Sequence, residues 1–141
     1  MPFYRCLVPE GSLTFEQRQQ IAVAITDVHC GLSTAPRHFV QVAFLDSSPG
    51  GQVIDSHGNG VIRYDTPYFV AGGNRAGRSE ETKRKILEGV IDRVSEIANV
   101  PRASVSGFIS EAPGSWTMEA GRILPDPGEE AEWLRQSAAP A

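Results

Sequence analysis

Hydrophobic residues in the first third of the chain follow a strand, helix and strand pattern. Residues 2–8 form a short run rich in residues that favour β-strands. Thr14 and Gln17 have the spacing of a capping box, which opens a helix. Apolar residues then recur at helical spacing and form one stripe: Ile21, Ala24, Ile25, Val28 and Leu32. Pro36 is predicted to stop this helix, and residues 38–45 alternate as a strand. The apolar side of that strand is formed by Val40, Val42 and Phe44.

The same pattern returns 65 residues later, so the chain contains an internal repeat. Residues paired at this offset keep the same chemical type, and the alignment of the two halves needs no gap. The matched pairs include Pro2 with Pro67, Tyr4 with Phe69, Thr14 with Ser79, Ile21 with Ile86, Asp27 with Asp92 and Pro36 with Pro101. The second copy predicts a strand at residues 67–72, a helix from Ser79 to about Ala98, and a strand at residues 104–110.

Two β-α-β units in one chain predict an α/β fold of the α+β kind. Its sheet has four strands of mixed direction, and both helices pack on one face because parallel crossovers are right-handed. The other face is left uncovered, with an apolar patch at Phe39, Ala43 and Leu45. Such a patch needs another copy of the chain to cover it, so we expect an oligomer.

A chain of 141 residues has the size of one domain, which we expect over residues 1–136. Its parts are a β-α-β unit at 2–46, a connecting hairpin at 47–64, a second unit at 66–111 and a C-terminal arm at 112–136. The arm ends in a short helix anchored by Trp133 and Leu134, which we expect to pack on a neighbouring subunit. Residues 137–141 are expected to be disordered.

Composition narrows the class of protein. A net charge of −4 argues against a nucleic-acid binder, which needs a basic surface. No apolar run approaches the ~20 residues of a membrane helix, and there is no secretory signal, so no membrane partner is expected. Cys6 and Cys30 lack any metal-binding spacing and are expected to be reduced thiols in a cytoplasmic protein.

The first residues of the chain offer a candidate proton-transfer group. If Met1 is removed, Pro2 becomes the amino terminus and presents a secondary amine. An α-amino group has a pKa of about 7.7–8.0, which falls when the group is desolvated or lies near cations. Such an amine is a free base at neutral pH, whereas a retained Met1 would convert it to an amide.

Positions where the two halves differ in chemistry are further candidates, because the fold alone would accept the same residue twice. His29 corresponds to Val94 on the apolar stripe of the second helix, so it should face the sheet near Pro2. Arg75 and Arg78 correspond to an acidic and an apolar residue. Both precede a predicted helix N-terminus, where two guanidinium groups can clamp a carboxylate.

Each of these candidates has a purely structural alternative. His29 can be a hydrogen-bonded core residue, and the two arginines can be a solvated pair beside Glu80 and Glu81. Glu119 lies in a segment, residues 111–122, that has no counterpart in the first half. It is either a general base or a surface charge.

From Pro2 to about Trp133, the chain resembles the tautomerase superfamily, and in particular its cis-3-chloroacrylic acid dehalogenase subgroup. The resemblance is carried by the amino-terminal proline, residues 24–29 (Ala-Ile-Thr-Asp-Val-His), Arg75 with Arg78-Ser79, and Glu119 with Gly121-Arg122. It implies a homotrimer of paired β-α-β units that uses no cofactor and no metal and takes a small carboxylate as its substrate.

The resemblance also implies roles for six residues. Pro2 and Glu119 would be catalytic, and His29, Arg75, Arg78 and Phe108 would bind substrate. Pro2 acts as general acid or base, His29 and the arginines hold the carboxylate, and Glu119 activates water in the dehalogenases. Phe108 departs from the subgroup, which has at that position a tyrosine that assists the glutamate.

This departure decides which reaction we expect. Loss of one of two groups that position water costs on the order of a few kcal/mol of transition-state stabilisation, whereas tautomerisation needs no water. We expect a tautomerase of a small enol or 2-oxo acid such as phenylpyruvate. The rivals are a hydratase or cis-3-haloacrylate dehalogenase that uses Glu119, and a non-catalytic binding protein on the same trimeric scaffold.

Overall fold

The described part of the chain, residues 2–47 and 67–138 of a computed structural model, contains six strands and three helices. In chain order they are β1 (Phe3–Pro9), α1 (Phe15–Gly31), β2 (Gln41–Ser47), β3 (Tyr68–Arg75), α2 (Glu80–Ala98), β4 (Val105–Ala112), β5 (Met118–Glu119), β6 (Arg122–Ile123) and α3 (Glu130–Ala138). Apart from Ser47, the hairpin predicted at residues 47–64 lies outside the described residues. Among the helices described, none is long and apolar enough to cross a bilayer.

The four long strands form one mixed sheet in the order β2-β1-β3-β4. β1 runs parallel to β2 and β3 runs parallel to β4, while the two central strands, β1 and β3, are antiparallel. Tyr4, Cys6 and Val8 of β1 share one core with Ile25 of α1 and Ile86 of α2, so both helices cover the same face of the sheet. The predicted fold class is therefore confirmed.

The internal repeat extends to details of the two helices. Thr14 caps α1 with the predicted capping box, and Ser79 caps α2 by accepting a hydrogen bond from the backbone N–H of Thr82. An ion pair then ties each helix to the turn that follows it. The pairs are Asp27 with Arg37 at 2.6 Å, and Asp92 with Arg102 at 2.5 Å, each member 65 residues from its counterpart.

Three predicted boundaries are wrong. The strand predicted at residues 38–45 begins only at Gln41, because Arg37–Phe39 form a short 3-10 turn. β3 continues to Arg75 rather than stopping at residue 72, because its last three residues stay paired with Ser110, Glu111 and Ala112 of β4. α1 ends at Gly31, well before Pro36, because the Ser33 hydroxyl donates to the carbonyl of His29 and closes the last turn. Leu32 then falls outside the apolar stripe and is 40% exposed.

The apolar patch on the uncovered face of the sheet differs from the prediction at one residue, Phe39. Leu45 is exposed as expected, and Phe108 of β4 lies exposed on the same face. Phe39 does not belong to this face, because it lies in a short turn before β2 and is only 1% exposed. Its ring packs edge-on against Trp133 of α3, with their centroids 5.7 Å apart.

The C-terminal arm contacts its own chain, and its packing on a neighbouring subunit stays a prediction. Trp133 donates its indole N–H to the carbonyl of Ile123, and its ring lies under the Arg122 guanidinium at 4.3 Å. The disordered tail was predicted to begin at Ser137, but α3 extends through Ala138. The Ser137 hydroxyl donates to the Trp133 carbonyl, which supports this last turn.

Candidate active site

Pro2 lies at the buried end of the central strand pair. Phe3, the next residue, pairs with Gly73 of β3, so Pro2 lies beside the end of β3 that carries Asn74 and Arg75. The carbonyl of Pro2 accepts a hydrogen bond from the backbone N–H of Gln41 at 3.0 Å, which holds it against β2. Its side chain is fully buried. The strand register thus places Pro2 next to the segment that contains both predicted arginines.

His29 faces the sheet, as predicted, and contacts Tyr4. The Tyr4 hydroxyl lies 2.7 Å from His29 Nδ1, and His29 is fully buried. Burial lowers the pKa of His29 to about 3, with Arg78 and Arg75 adding to the effect, so the ring is neutral at pH 7.

Burial also fixes which ring nitrogen of His29 carries the proton. It raises the pKa of Tyr4, and the Asn74 amide and Arg78 only partly oppose that rise, so the phenol stays protonated. The Tyr4 O–H therefore donates to Nδ1, and the proton of the neutral imidazole lies on Nε2.

Arg75 is present in the site, and both terminal nitrogens of its guanidinium are already hydrogen-bonded. Nη2 donates to Glu130 of α3 at 2.7 Å, and Nη1 donates to the carbonyl of Pro125 at 2.5 Å. The Arg75 side chain is 0% exposed and that of Glu130 is 5% exposed. The pair is therefore a buried salt bridge between β3 and the C-terminal arm.

Several donors stabilise the Glu130 carboxylate in addition to Arg75. The Thr34 hydroxyl lies 3.2 and 3.3 Å from its two oxygens, and the backbone N–H of Gly128 donates to Oε2 at 2.8 Å. Burial acts to raise the pKa of Glu130, but the hydrogen bonds from Arg75 and from backbone N–H groups outweigh it and leave the pKa lowered. Glu130 is therefore ionised at neutral pH.

Arg78 lies in the loop before α2 and has one terminal nitrogen without a partner. Nη1 donates to the carbonyl of Arg75 at 3.2 Å, while Nη2 is buried without a hydrogen bond in the described part of the chain. Burial lowers the pKa of Arg78, and the neighbouring charge of Arg75 adds to this. Even so, a guanidinium keeps its charge at neutral pH.

Buried polar atoms without a hydrogen bond concentrate at this end of the sheet. Across residues 2–47 and 67–138 there are six such side-chain atoms, and five of them belong to the site: His29 Nε2, Asn74 Nδ2 and Oδ1, Arg75 Nε and Arg78 Nη2. Most buried polar groups in folded proteins are hydrogen-bonded, so a cluster of exceptions requires an explanation. Four of these atoms are N–H donors on separate residues: His29, Asn74, Arg75 and Arg78. The two oxygens of a carboxylate accept hydrogen bonds from such donors.

A cleft of about 250 Å³ opens at the same end of the sheet. It is lined by Phe3, Arg5, Gly73, Asn74, Arg75 and the end of β4. This volume suits a small organic acid rather than a nucleotide-sized ligand. Within the described residues, no group of three or more His, Cys, Asp and Glu side chains is arranged to hold a metal ion.

The other two predicted site residues lie on different elements. Glu119 is half-buried on β5 and is paired in register with Arg122 of β6. Phe108 is 46% exposed, and its ring contacts Phe69 with centroids 5.6 Å apart. Phe108 lies on the uncovered face of the sheet, whereas Tyr4, which contacts His29, lies on the face that the helices cover.

Sequence reasoning did not identify three residues of this site: Tyr4, Asn74 and Glu130. Tyr4 could have been found, since its counterpart in the repeat is Phe69, which lacks the hydroxyl. Asn74 lies in a stretch that we had predicted to be a loop. Glu130 follows Glu129 directly, and no pattern in the sequence indicates which of the two carboxylates turns inward.

Comparisons with known proteins agree with the fold. Residues 1–138 match a family model described as "Putative oxalocrotonate tautomerase enzyme". The chain is similar to the crystal structure of N1, a member of the cis-3-chloroacrylic acid dehalogenase family, with 29% identity and a TM-score of 0.84 over 99% of this chain and 93% of that one. A search of curated protein sequences finds no match.

Two further solved structures share the fold. Native Ps01740 is 30% identical with a TM-score of 0.71, over 84% of this chain and 100% of that one. The F6 fused 4-OT wild-type asymmetric trimer is 15% identical with a TM-score of 0.73, over 86% of this chain and 95% of that one.

Proposed function

Because the chain belongs to the oxalocrotonate tautomerase family whose model it matches over residues 1–138, we propose that it is a cofactor-independent tautomerase. Its substrate is a small enol or 2-oxo acid such as phenylpyruvate. The observation that carries this proposal is the cluster of unpartnered buried donors on His29, Asn74 and Arg78 beside Pro2. The cluster binds the substrate carboxylate and holds the adjacent carbon and oxygen next to the Pro2 nitrogen.

In this mechanism Pro2 transfers a proton between two atoms of the substrate. As free base, its nitrogen accepts the hydroxyl proton of the enol, and the resulting ammonium delivers a proton to the neighbouring carbon. The reaction is an isomerisation, so no electrons are exchanged and no water is consumed. The buried surroundings of Pro2 and the nearby positive charge of Arg78 both favour the neutral amine at pH 7.

We propose that the chain works as a homotrimer. The uncovered face of the sheet carries exposed Leu45 and Phe108, and structures with this fold include fused 4-OT trimers. Covering this face with neighbouring copies would remove these side chains from water. The two free thiols, Cys6 and Cys30, support the predicted cytoplasmic location.

Dehalogenation or hydration of a 3-substituted acrylate is the second candidate. It is supported by the 29% identity with N1 over nearly the whole chain. Glu119 would activate the water, without the tyrosine hydroxyl that Phe108 replaces. Release of halide from cis-3-chloroacrylate, measured alongside ketonisation of phenylenolpyruvate, separates the two reactions.

The test of the proposed function is Pro2→Ala compared with Pro67→Ala. Pro67 is the counterpart of Pro2 in the repeat, but its nitrogen is an internal amide and cannot act as a base. General acid or base catalysis contributes roughly 10²- to 10⁴-fold, so Pro2→Ala should lower kcat/KM for ketonisation by at least the smaller factor. Pro67→Ala should retain most of the activity.

Intact mass spectrometry must be run on the same preparations. We expect the mass of the chain without Met1, because a retained methionine would block the amine. A retained methionine, or equal kcat/KM in the two variants, would contradict the proposal. The first result would favour a binding protein on the same scaffold.

A further inference from the structure

The guanidinium of Arg75 is held at its far end by the C-terminal arm. Nη2 donates to Glu130 Oε1 at 2.7 Å, and Nη1 donates to the Pro125 carbonyl at 2.5 Å. Both side chains of the ion pair are buried. The Arg75 Cζ also lies 5.7 Å from the centre of the Phe39 ring, which packs against Trp133 of the arm. The arm therefore fixes the plane and the direction of this guanidinium.

Glu130 joins the two elements that carry donors of the site. One of its oxygens accepts a hydrogen bond from Arg75 at the end of β3, and the Thr34 hydroxyl lies 3.2 and 3.3 Å from its two oxygens. Thr34 belongs to the turn that follows α1, and Ser33 beside it donates to the carbonyl of His29. The relative position of Arg75 and His29 therefore depends on a residue of the arm.

The arm leaves one nitrogen of Arg75 for a ligand. Nε is buried and has no hydrogen bond within residues 2–47 and 67–138. It is the nitrogen bonded to the side-chain stem, so it lies on the β3 side of the guanidinium, whereas both terminal nitrogens donate to the arm. Unpartnered donors on Asn74, His29 and Arg78 lie at the same end of the sheet. A buried donor without a partner is costly, so a bound acceptor would stabilise this arrangement.

Stabilisation alone is a weak reason for burying the ion pair of Arg75 and Glu130. Removing two charges from water costs a desolvation free energy that offsets much of their attraction. The pair does fix direction, because a guanidinium presents its donors in one rigid plane. Glu130 and the Pro125 carbonyl together determine where that plane lies.

We propose that Glu130 is a positioning residue of the active site that acts through Arg75, by holding the terminal nitrogens so that Nε donates to the bound substrate. The inference rests on the proposed function for the location of the site. Arg75 contacts the substrate through a single N–H, and Arg78, Asn74 and His29 supply the other donors. The arm thus contributes to substrate binding although Glu130 itself does not touch the substrate.

The experiment measures the binding of 3-phenylpropanoate, a carboxylate that has no keto group and cannot be isomerised. Dissociation constants are obtained by titration calorimetry for the unaltered protein, Arg75→Lys, Glu130→Gln and the double variant. Lysine keeps the positive charge and can pair with Glu130, but it has no N–H in its stem. Glu129→Gln is the matched control, because Glu129 is exposed and directly precedes Glu130.

We expect Arg75→Lys to weaken binding on the order of tenfold or more, because one hydrogen bond to the ligand is lost. Its free energy of unfolding in urea should change less than that of Glu130→Gln, since the ion pair is kept. Glu130→Gln should also weaken binding on the order of tenfold, because Arg75 is free to turn. In the double variant the two losses should not add, since lysine offers no N–H for Glu130 to position. Glu129→Gln should bind as tightly as the unaltered protein.

Four results would overturn the inference: undetectable binding by the unaltered protein, unchanged binding by Arg75→Lys, unchanged binding by Glu130→Gln, and additive losses in the double variant. If Glu130→Gln does not fold, Thr34→Val replaces it, because this change removes hydrogen bonds to Glu130 and keeps its charge. Thr34→Val should weaken binding as well, and unchanged binding would count equally against the inference.

The outcome is separable from the Pro2 test because the probe undergoes no turnover. Ketonisation by the unaltered protein together with unchanged binding by Arg75→Lys would reject the role of Glu130 and keep the tautomerase. The expected order of dissociation constants without any ketonisation would keep the role of Glu130 and reject the tautomerase.

Discussion

At the scale of single residues, His29 shows how position determines chemistry. The repeat gives it the same place on its helix as Val94, and both residues are buried. The imidazole differs from valine in needing hydrogen-bond partners. Tyr4 supplies one of them to Nδ1, and Nε2 is left for a ligand. The structural interpretation of this histidine is therefore confirmed at Nδ1, and the functional interpretation stays a prediction for Nε2.

The lowered pKa of His29 predicts how stability depends on pH. Its pKa is about 3 in the folded chain and 6.5 when unfolded, so the unfolded chain binds more protons between these values. The stability contributed by neutral His29 is complete above pH 6.5 and is lost as the pH falls toward 3. We expect the free energy of unfolding, measured with urea, to fall by about 2 kcal/mol between pH 8 and pH 5.

Replacing His29 with the valine of the second unit should abolish most of this pH dependence. His29→Val has nothing to titrate at that position, although the Tyr4 hydroxyl loses its partner and overall stability falls. The exposed His38, changed to Gln, serves as the matched control, since it removes a histidine from the surface. Equal slopes in His29→Val and the unaltered chain would contradict the assignment.

Single residues were predictable from sequence where the repeat provided a comparison. The direction of His29 and the place of Arg75 and Arg78 before α2 followed from the offset between the halves. The partner of Arg75 did not, because Glu130 lies 55 residues away in an arm that has no counterpart in the first half. Contacts of this kind depend on tertiary packing, which local patterns do not encode.

At the scale of elements, the close approach of β1 and β3 depends on a missing side chain. A Cβ atom added at Gly72 would lie 2.6 Å from Cε1 of Tyr4, which is closer than real contacts allow. Gly72 therefore lets the Tyr4 ring lie flat against β3 and reach His29. The site depends on this glycine although it contacts no ligand.

Gly72→Ala should consequently destabilise the chain, whereas Gly73→Ala should not. Overpacking of this kind costs about 1–3 kcal/mol, measured as the free energy of unfolding in urea. At Gly73 an added Cβ would lie 3.6 Å from the carbonyl oxygen of Phe3, an ordinary contact. Gly73→Ala should be neutral or slightly stabilising, because alanine lowers the entropy of the unfolded chain. If both substitutions had the same effect, the packing argument would be wrong.

Helices and strands were largely predictable because apolar spacing and capping residues act locally. Thr14 and Ser79 marked both helix starts correctly. The errors lie where tertiary contacts prevail: β3 extends because it stays paired with β4, and Phe39 is buried because Trp133 packs on it. The arm was predicted as a helix, but its docking on its own chain had no signal in the sequence.

At the scale of the whole molecule, the uncovered face of the sheet predicts the oligomeric state. Phe108→Asp would place a charge among the apolar residues of this face, including Leu45 and Phe69. A buried, unpaired carboxylate is costly, so we expect the variant to dissociate to monomers by analytical ultracentrifugation, while the unaltered chain sediments as a trimer.

Phe15→Asp is the matched control for this change. Phe15 is also an exposed phenylalanine, at 74%, but it lies at the start of α1 rather than on the sheet. It should leave the trimer intact. A trimer that survives Phe108→Asp, or one that dissociates with Phe15→Asp, would place the interface elsewhere.

The shared architecture of the two β-α-β units also sets a stoichiometry. Each half offers a proline at the head of its first strand, but a polypeptide has only one amino terminus. Pro67 is acylated by the preceding residue and is permanently non-basic. Once Met1 is removed, an electrophile that reacts with free secondary amines should therefore modify one equivalent per chain and three per trimer. The second half instead supplies the arginines of the site.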